Sequence, residues 1–294
     1  MKTSICFNAN KDDLCRREAL FKGDLLVYSA SEYTQALAEH AKNSICEYFG
    51  ENPPQAQFQM TVNEFVKVAA TLKTVFTNSS KTSDLVRNVL YGYGCDLQNT
   101  YFDVPRLRIV THGGYLSAGI GYAYKPHRDN WYGSPECQVN WWMPVFDVSP
   151  DRAMGFFPRW WDESMNNTSA DFDYDEWCSV GRKQAVNQVK QDMRKHPLPK
   201  DILVDAEELR VSLNRAEMLL FSAAHLHHTA PNSSGQIRFS LDFRTVHIDD
   251  LEAGRGAPNL DNKSTGTTLI DFRRASDLSP LSEAIVKRYR RKKQ

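Results

Sequence analysis

What this 294-residue chain lacks narrows its class before any motif is considered. Its six cysteines, Cys6, Cys15, Cys46, Cys95, Cys137 and Cys178, stand far apart with no CxxC pair among them. That spacing argues against a structural zinc site or a disulfide framework, and fits reduced thiols in a cytosolic protein. No window approaches the roughly 18 apolar residues that a membrane-spanning helix needs. The opening segment "MKTSICFNANKDDLCRREALF" meets charges before an apolar region can develop, so no secretory signal is expected. Neither sign of charge is in excess, with Lys plus Arg and Asp plus Glu at 36 each, which argues against nucleic-acid binding by the body of the protein. Repeats, low-complexity tracts and a convincing linker are also missing. Hydrophobic residues at 41% and charged residues at 24% are globular values. The expectation is one cytoplasmic domain over residues 1–294.

The first hundred residues have helical texture. "SEYTQALAEHAKNSICEYFG" opens on a capping serine, Ser31, and ends on Gly50. Two further patterns with apolar residues three and four apart cover residues 61–78 and 79–94. From Tyr101 the texture becomes β-branched and aromatic, in "RLRIVTH", "YLSAGIGYAY", "CQVNWWMPVFDV", "EMLLFSAA" and "IRFSLDFRTV". Residues 1–100 therefore read as a mainly helical support and 101–250 as a β core. An insertion at 160–200 carries a helix near 180–195, and 251–294 form a C-terminal extension. In "IRFSLDFR", Arg238, Ser240, Asp242 and Arg244 share one strand face, opposite Ile237, Phe239, Leu241 and Phe243; Gln138, Asn140 and Trp142 likewise share a face. Such a polar face is ordinarily solvated, but in a closed barrel or jelly roll it lines a cavity.

Two short segments carry metal-binding residue types. In the "HRD" of "KPHRDNWYGSP", an extended backbone turns His127 and Asp129 to one side and Arg128 to the other. In "FSAAHLHHTAPNSSGQIRFSLDFR", three histidines, His225, His227 and His228, precede a strand with arginines. Two imidazoles and one carboxylate on one face of a ferrous ion leave its remaining positions open for an oxidant and a cosubstrate. An arginine across the cavity would hold a dicarboxylate through paired charge-assisted hydrogen bonds.

The order "HRD" then "HLHHTAPNSSGQIR" resembles the iron- and 2-oxoglutarate-dependent oxygenases, in particular their phytanoyl-CoA dioxygenase-like branch. In that branch the arginine that binds the distal carboxylate of 2-oxoglutarate follows the second histidine ligand by eleven positions. The resemblance, which covers residues 101–247, thus implies His127, Asp129 and His227 as Fe(II) ligands and Arg238 as the cosubstrate anchor; Phe221, Pro231 and Asn232 also fall into place. By geometry alone Arg244 could exchange roles with Arg238. Ser240, Gln138 and Asn140 are candidates to hydrogen-bond 2-oxoglutarate or substrate, with O2 as oxidant. The implied fold is α+β, a double-stranded β-helix (jelly roll) core with a helical N-terminal layer. A carboxylate at 129, rather than glycine or alanine, leaves no site for a halide and favours hydroxylation.

Where the branch often has a Pro-Gly-Ser-His segment, this chain has "MGFFPRWW", which implies a different substrate pocket wall. "YFDVPRLR", "PHRDNWYGSP" and "NWWMPVF" together look like the bacterial 3-deoxy-D-manno-octulosonic acid (Kdo) hydroxylases, implying the Kdo sugar of lipopolysaccharide as substrate. Rival readings are a non-catalytic jelly-roll protein that binds carbohydrate or a lipid surface, and a cupin-type metal enzyme that does not use 2-oxoglutarate. The basic terminus, Lys287, Arg288, Arg290, Arg291, Lys292 and Lys293, is either a solvated tail or an attachment to the anionic inner face of the cell membrane.

Overall fold

The computed structural model describes residues 3–118, 125–182, 192–201, 203 and 207–292. The three helical patterns form as their caps dictate. Helix α2 (Glu32–Phe49) follows a capping box made by Ser31 and Thr34 and stops at Gly50, whose φ of 78° favours glycine. Helix α3 (Val62–Asn78) has a capping box between Thr61 and Glu64, and α4 (Ser80–Gly92) is capped by Ser79. A shorter α1 (Asp13–Phe21) precedes them.

The N-terminal part is not helical alone. Strands β1 (Ile5–Phe7) and β2 (Leu25–Tyr28) join an eight-stranded sheet completed by β3 (Thr100–Phe102), β4 (Arg106–Val110), β5 (Val139–Pro144), β8 (Met218–Ser222), β10 (Arg238–His247) and β11 (Arg273–Arg274). At three or four residues each, β1 and β2 are too short to show a period in sequence; pairing with β8 is what makes β2 a strand. Along one edge β10 pairs with β5, and along the other with β4 and then β3, all antiparallel. A second sheet holds β6 (Met154–Phe156) between β7 (Leu209–Val211) and β9 (His227–Thr229).

Strand alternation sorts the side chains of the large sheet into two layers. Met218 and Leu220 of β8, Trp141 and Met143 of β5, and Phe239 and Leu241 of β10 pack with Leu37, Ile45, Phe65, Leu72 and Val89 of the helices. Leu219, Phe221 and Trp142 turn the other way and pack with Met154, Phe156 and Val211 of the small sheet. Burying each such side chain contributes roughly 1.5–3 kcal/mol. Arg238, Asp242 and Arg244 of β10 line the space between the sheets together with Trp142, Met154 and Phe221.

Two expected elements differ. Tyr115–Ala118 form no strand, and the rest of "YLSAGIGYAY" lies outside the described residues. The helix expected near 180–195 falls largely outside them as well; what precedes it is a single turn, α5 (Tyr174–Glu176), running into a π-helical turn at Trp177–Gly181. The C-terminal extension is folded against the body, with α6 (Ile248–Ala253) and α7 (Glu283–Tyr289). All six cysteines are free thiols. No helix among the described residues is long and apolar enough to cross a membrane.

Candidate metal centre

His127 and His227 face each other across an isolated antiparallel bridge, each backbone N–H donating to the other's carbonyl at 2.9 and 3.0 Å. Their rings lie 4.5 Å apart. The Nδ1 of His127 is 2.9 Å from the Lys125 carbonyl, and that of His227 is 3.0 Å from the His225 carbonyl. A carbonyl only accepts, so each Nδ1 carries the proton and each Nε2 presents a lone pair, the form that binds metal. Arg128 is extended (φ −106°, ψ 138°), which returns Asp129 to the side of His127. The expected strand over "HRD" is not continuous, because Asp129 opens a 3-10 turn that ends at Tyr132. Only the intervening residue has to be extended for the two ligands to converge.

Asp129 Oδ1 lies 3.3 Å from His127 Nε2 and 3.9 Å from His227 Nε2. Among the described residues these three form the one cluster whose potential ligand atoms all lie within 4.8 Å of one another. His225 and His228 stay outside it. His225 is fully buried with Nε2 on the Gly23 carbonyl at 3.1 Å, and His228 is bound to Glu208 Oε1 at 2.8 Å.

The second carboxylate oxygen of Asp129 is held from behind. Arg244 Nε is 3.4 Å away, and the Gln138 amide donates at 3.4 Å and also to Asn140 Oδ1 at 3.0 Å. Arg244 in turn meets Asp103 at 3.3 Å and Asp242 at 3.7 Å, and Asp242 accepts both Arg108 Nε at 2.5 Å and Nη2 at 3.0 Å. Burial pushes the Asp129 carboxyl up, but the Arg244 guanidinium outweighs it and holds the group well below the usual carboxylate range. Burial, reinforced by the neighbouring His127, pulls His227 down to about 3. The cluster is therefore an anionic carboxylate with neutral imidazole beside it, a donor set suited to a divalent cation and of the two-histidine, one-carboxylate type associated with ferrous iron.

The cluster opens into a cavity of about 230 Å³ between the sheets. Trp142, Phe221 and Met154 line part of it, as do Gln138 and Asn140, while Arg106, Tyr132, Tyr174, Trp177, Arg182 and His196 line another part. Arg238 also lines it: its guanidinium donates to the Arg152 carbonyl at 3.0 Å and Thr229 Oγ1 at 3.1 Å, and stacks 5.5 Å over Trp142. Thr229 is two residues along β9 from His227, so this guanidinium anchor stands ~7 Å of strand from a ligand. Ser240 is buried but does not line the cavity, and its hydroxyl has no hydrogen-bond partner among the described residues. It shares the β10 face of Arg238, Asp242 and Arg244, which do line the cavity, and pairs in register with Pro144 of β5.

Sequence reasoning missed Asp103, Arg106, Arg108 and Thr229 because their relation to the site arises from pairing between strands distant in sequence. Asp242 could have been found, since it falls between Ser240 and Arg244 on the face already singled out. The basic terminus is partly engaged with the body: Arg290 meets Asp175 at 3.5 Å, Arg291 pairs with Glu136, and Arg288 donates to the Glu252 carbonyl at 2.9 Å. Lys287 and Lys292 are exposed, and Lys293 lies outside the described residues.

No family model and no curated protein matches the chain. Among solved structures it is similar to EvdO2 from Micromonospora carbonacea var. aurantiaca, at 11% identity and a TM-score of 0.38, over 57% of this chain and 60% of that one. The chain thus spans less than two thirds of EvdO2. It is also similar to the apo form of the non-heme monooxygenase ThoJ, at 12% identity and a TM-score of 0.43, over 88% and 86%. A third likeness is to the non-heme alpha ketoglutarate dependent epimerase SnoN from nogalamycin biosynthesis, at 14% identity and a TM-score of 0.39, over 92% and 97%.

Proposed function

We propose that the chain is an Fe(II)- and 2-oxoglutarate-dependent dioxygenase that hydroxylates an unactivated C–H bond, with its two facing sheets as a double-stranded β-helix. The observation that carries this reading is the cross-strand pair His127 and His227, both with Nδ1 committed to a carbonyl and Nε2 turned toward Asp129 at the wall of a cavity. His127, Asp129 and His227 would hold the iron. Arg238, set on Thr229 and Trp142, would bind the distal carboxylate of 2-oxoglutarate, because Arg244 is already engaged by Asp129, Asp103 and Asp242. Bound there, iron and 2-oxoglutarate supply the oxygen chemistry, which ends in succinate, carbon dioxide and a hydroxylated product.

The residues of the chain do the placing. Gln138 and Arg244 hold the Asp129 carboxylate ionised and oriented, and the two backbone carbonyls fix the imidazole tautomers. Phe156 and Phe221 flank the His227 ring with apolar surface that excludes water from it. Aspartate at 129 supports hydroxylation over halogenation, since the carboxylate takes the position that a halide would need. Candidate substrates are a carbohydrate acid such as the Kdo sugar of lipopolysaccharide, supported by the guanidinium-rich lining of Arg106 and Arg182. For a glycolipid, the exposed Lys287, Arg288 and Lys292 would add roughly 1 kcal/mol each near an anionic membrane surface.

The test is turnover. Purified protein with ferrous iron under oxygen should convert 2-oxoglutarate to succinate, and Asp129→Ala should not; equal activity in that variant rejects the assignment. Ligand binding without iron dependence would indicate the non-catalytic alternative, and metal-dependent turnover that leaves 2-oxoglutarate intact would indicate the cupin-type one.

A further inference from the structure

Arg128 lies between the two ligands of "HRD" and points away from both. Its guanidinium is 1% exposed, among the largest fully buried side chains of the chain. Burying a cation costs several kcal/mol unless donors and charge are matched, so what surrounds it indicates what it holds. One Nη donates to the Ala224 carbonyl; the other donates to the carbonyls of Trp160 and Glu163, the latter at 2.9 Å. Its Nε lies 3.2 Å from Asp261 Oδ2.

Two of these partners are tied to the segments that carry the metal cluster. Ala224 sits in the turn between β8 and β9, one residue before His225, whose carbonyl orients the His227 ring. Asp261 belongs to the C-terminal extension and also accepts Trp131 Nε1 at 2.6 Å, two residues beyond Asp129, and the Met165 N–H at 2.9 Å. The same turn is tied back to the ligand loop by Asn130 N–H to the Ala223 carbonyl at 3.3 Å. One planar fork therefore spans the HxD loop, the turn that carries the third ligand, and the insertion. A lysine carries its three donors on one nitrogen and cannot span these separated carbonyls as the guanidinium fork does.

We propose that Arg128, braced by Asp261, is a positioning residue that sets the separation between the His127–Asp129 pair and His227, and hence the affinity for the metal. It contacts neither metal nor substrate; it acts through the 222–226 turn. The inference rests on the metal-site reading above, and the experiment separates the two.

Metal-free full-length protein, Arg128→Lys and Asp261→Asn are titrated with Ni(II) by calorimetry, with circular dichroism melts and amide hydrogen exchange on the same samples. Wild type should bind one ion, and its failure to do so would reject the site reading itself. Arg128→Lys should weaken Ni(II) roughly tenfold to a hundredfold, the range for partners that orient ligands. Asp261→Asn should weaken it by a smaller factor in a protein that still melts cooperatively. Faster exchange at the His227 N–H, which bonds to the His127 carbonyl, should accompany both. A folded Arg128→Lys with wild-type affinity overturns the proposal, and if that variant does not fold, wild-type affinity in Asp261→Asn overturns it instead.

Discussion

Arg244 Nε stands 3.4 Å from Asp129 Oδ2, so the carboxylate that faces the two histidines with one oxygen is held by a guanidinium through the other. Arg238, six residues earlier on the same face of β10, is instead bound to Thr229 and Arg152. The two arginines therefore have different work, and they should fail differently. Arg244→Met should lower metal affinity about tenfold or more and leave 2-oxoglutarate binding to the metal-loaded protein within a few-fold. Arg238→Met should do the converse, raising the 2-oxoglutarate Kd by about tenfold to a hundredfold, as expected for loss of a charge-assisted pair of ~1.5–3 kcal/mol. Separate calorimetric titrations with metal and with 2-oxoglutarate check both; identical profiles would remove the distinction.

Acid should destabilise the metal-free protein through its buried histidines. Burial pulls His225 and His227 down to about 3 and His196 to about 4, against 6.5 for a free imidazole. A folded-state value below the unfolded one means that the unfolded chain takes up protons that the folded one refuses. Stability is then fully present above pH ~6.5 and falls as pH drops toward 4, each histidine contributing at most ~1.4 kcal/mol per pH unit. Urea unfolding at pH 7.5, 6 and 5 reads this slope. A flat profile would mean that these rings are solvated in solution.

Gly256 has a φ of 153°, and a Cβ there would lie 2.5 Å from the carbonyl carbon of Glu136 and 2.6 Å from Cys137 N. Both are backbone atoms, so they cannot swing aside. Gly256→Ala should destabilise the fold by ~1–3 kcal/mol, visible as a lower Tm. Because residues 136–137 lead from the ligand loop into Gln138, metal affinity should fall with it; an unchanged Tm would show that the extension does not press on that loop.

Pairing His127 with His227 also explains why one histidine of three is chosen. Bridge register turns His227 inward, and the alternation of β9 turns His228 toward Glu208. Gly155, opposite His228 on β6, has no side chain to obstruct that pair: a Cβ there would meet Glu208 Oε1 and His228 Nε2 at 2.4 Å each. Gly155→Ala should displace the pair and lower Tm while leaving the three ligands in place, so metal stoichiometry should stay at one per chain. Loss of metal binding would show instead that β9 moves as a unit.

The amino-acid sequence by itself determined the three N-terminal helices, because caps and apolar spacing act over a few residues. It also determined that β10 has one polar and one apolar face, since alternation is a local property of the strand. The spacing in "HRD" was enough to bring His127 and Asp129 to one side. Only the tertiary structure decided that β1 and β2 are strands and that Arg244 serves Asp129. It alone brought Arg128 to Ala224 and Asp261, 96 and about 130 residues away. Each of these depends on which distant strand lies alongside and in what register, and a one-residue slip would reverse every side chain involved.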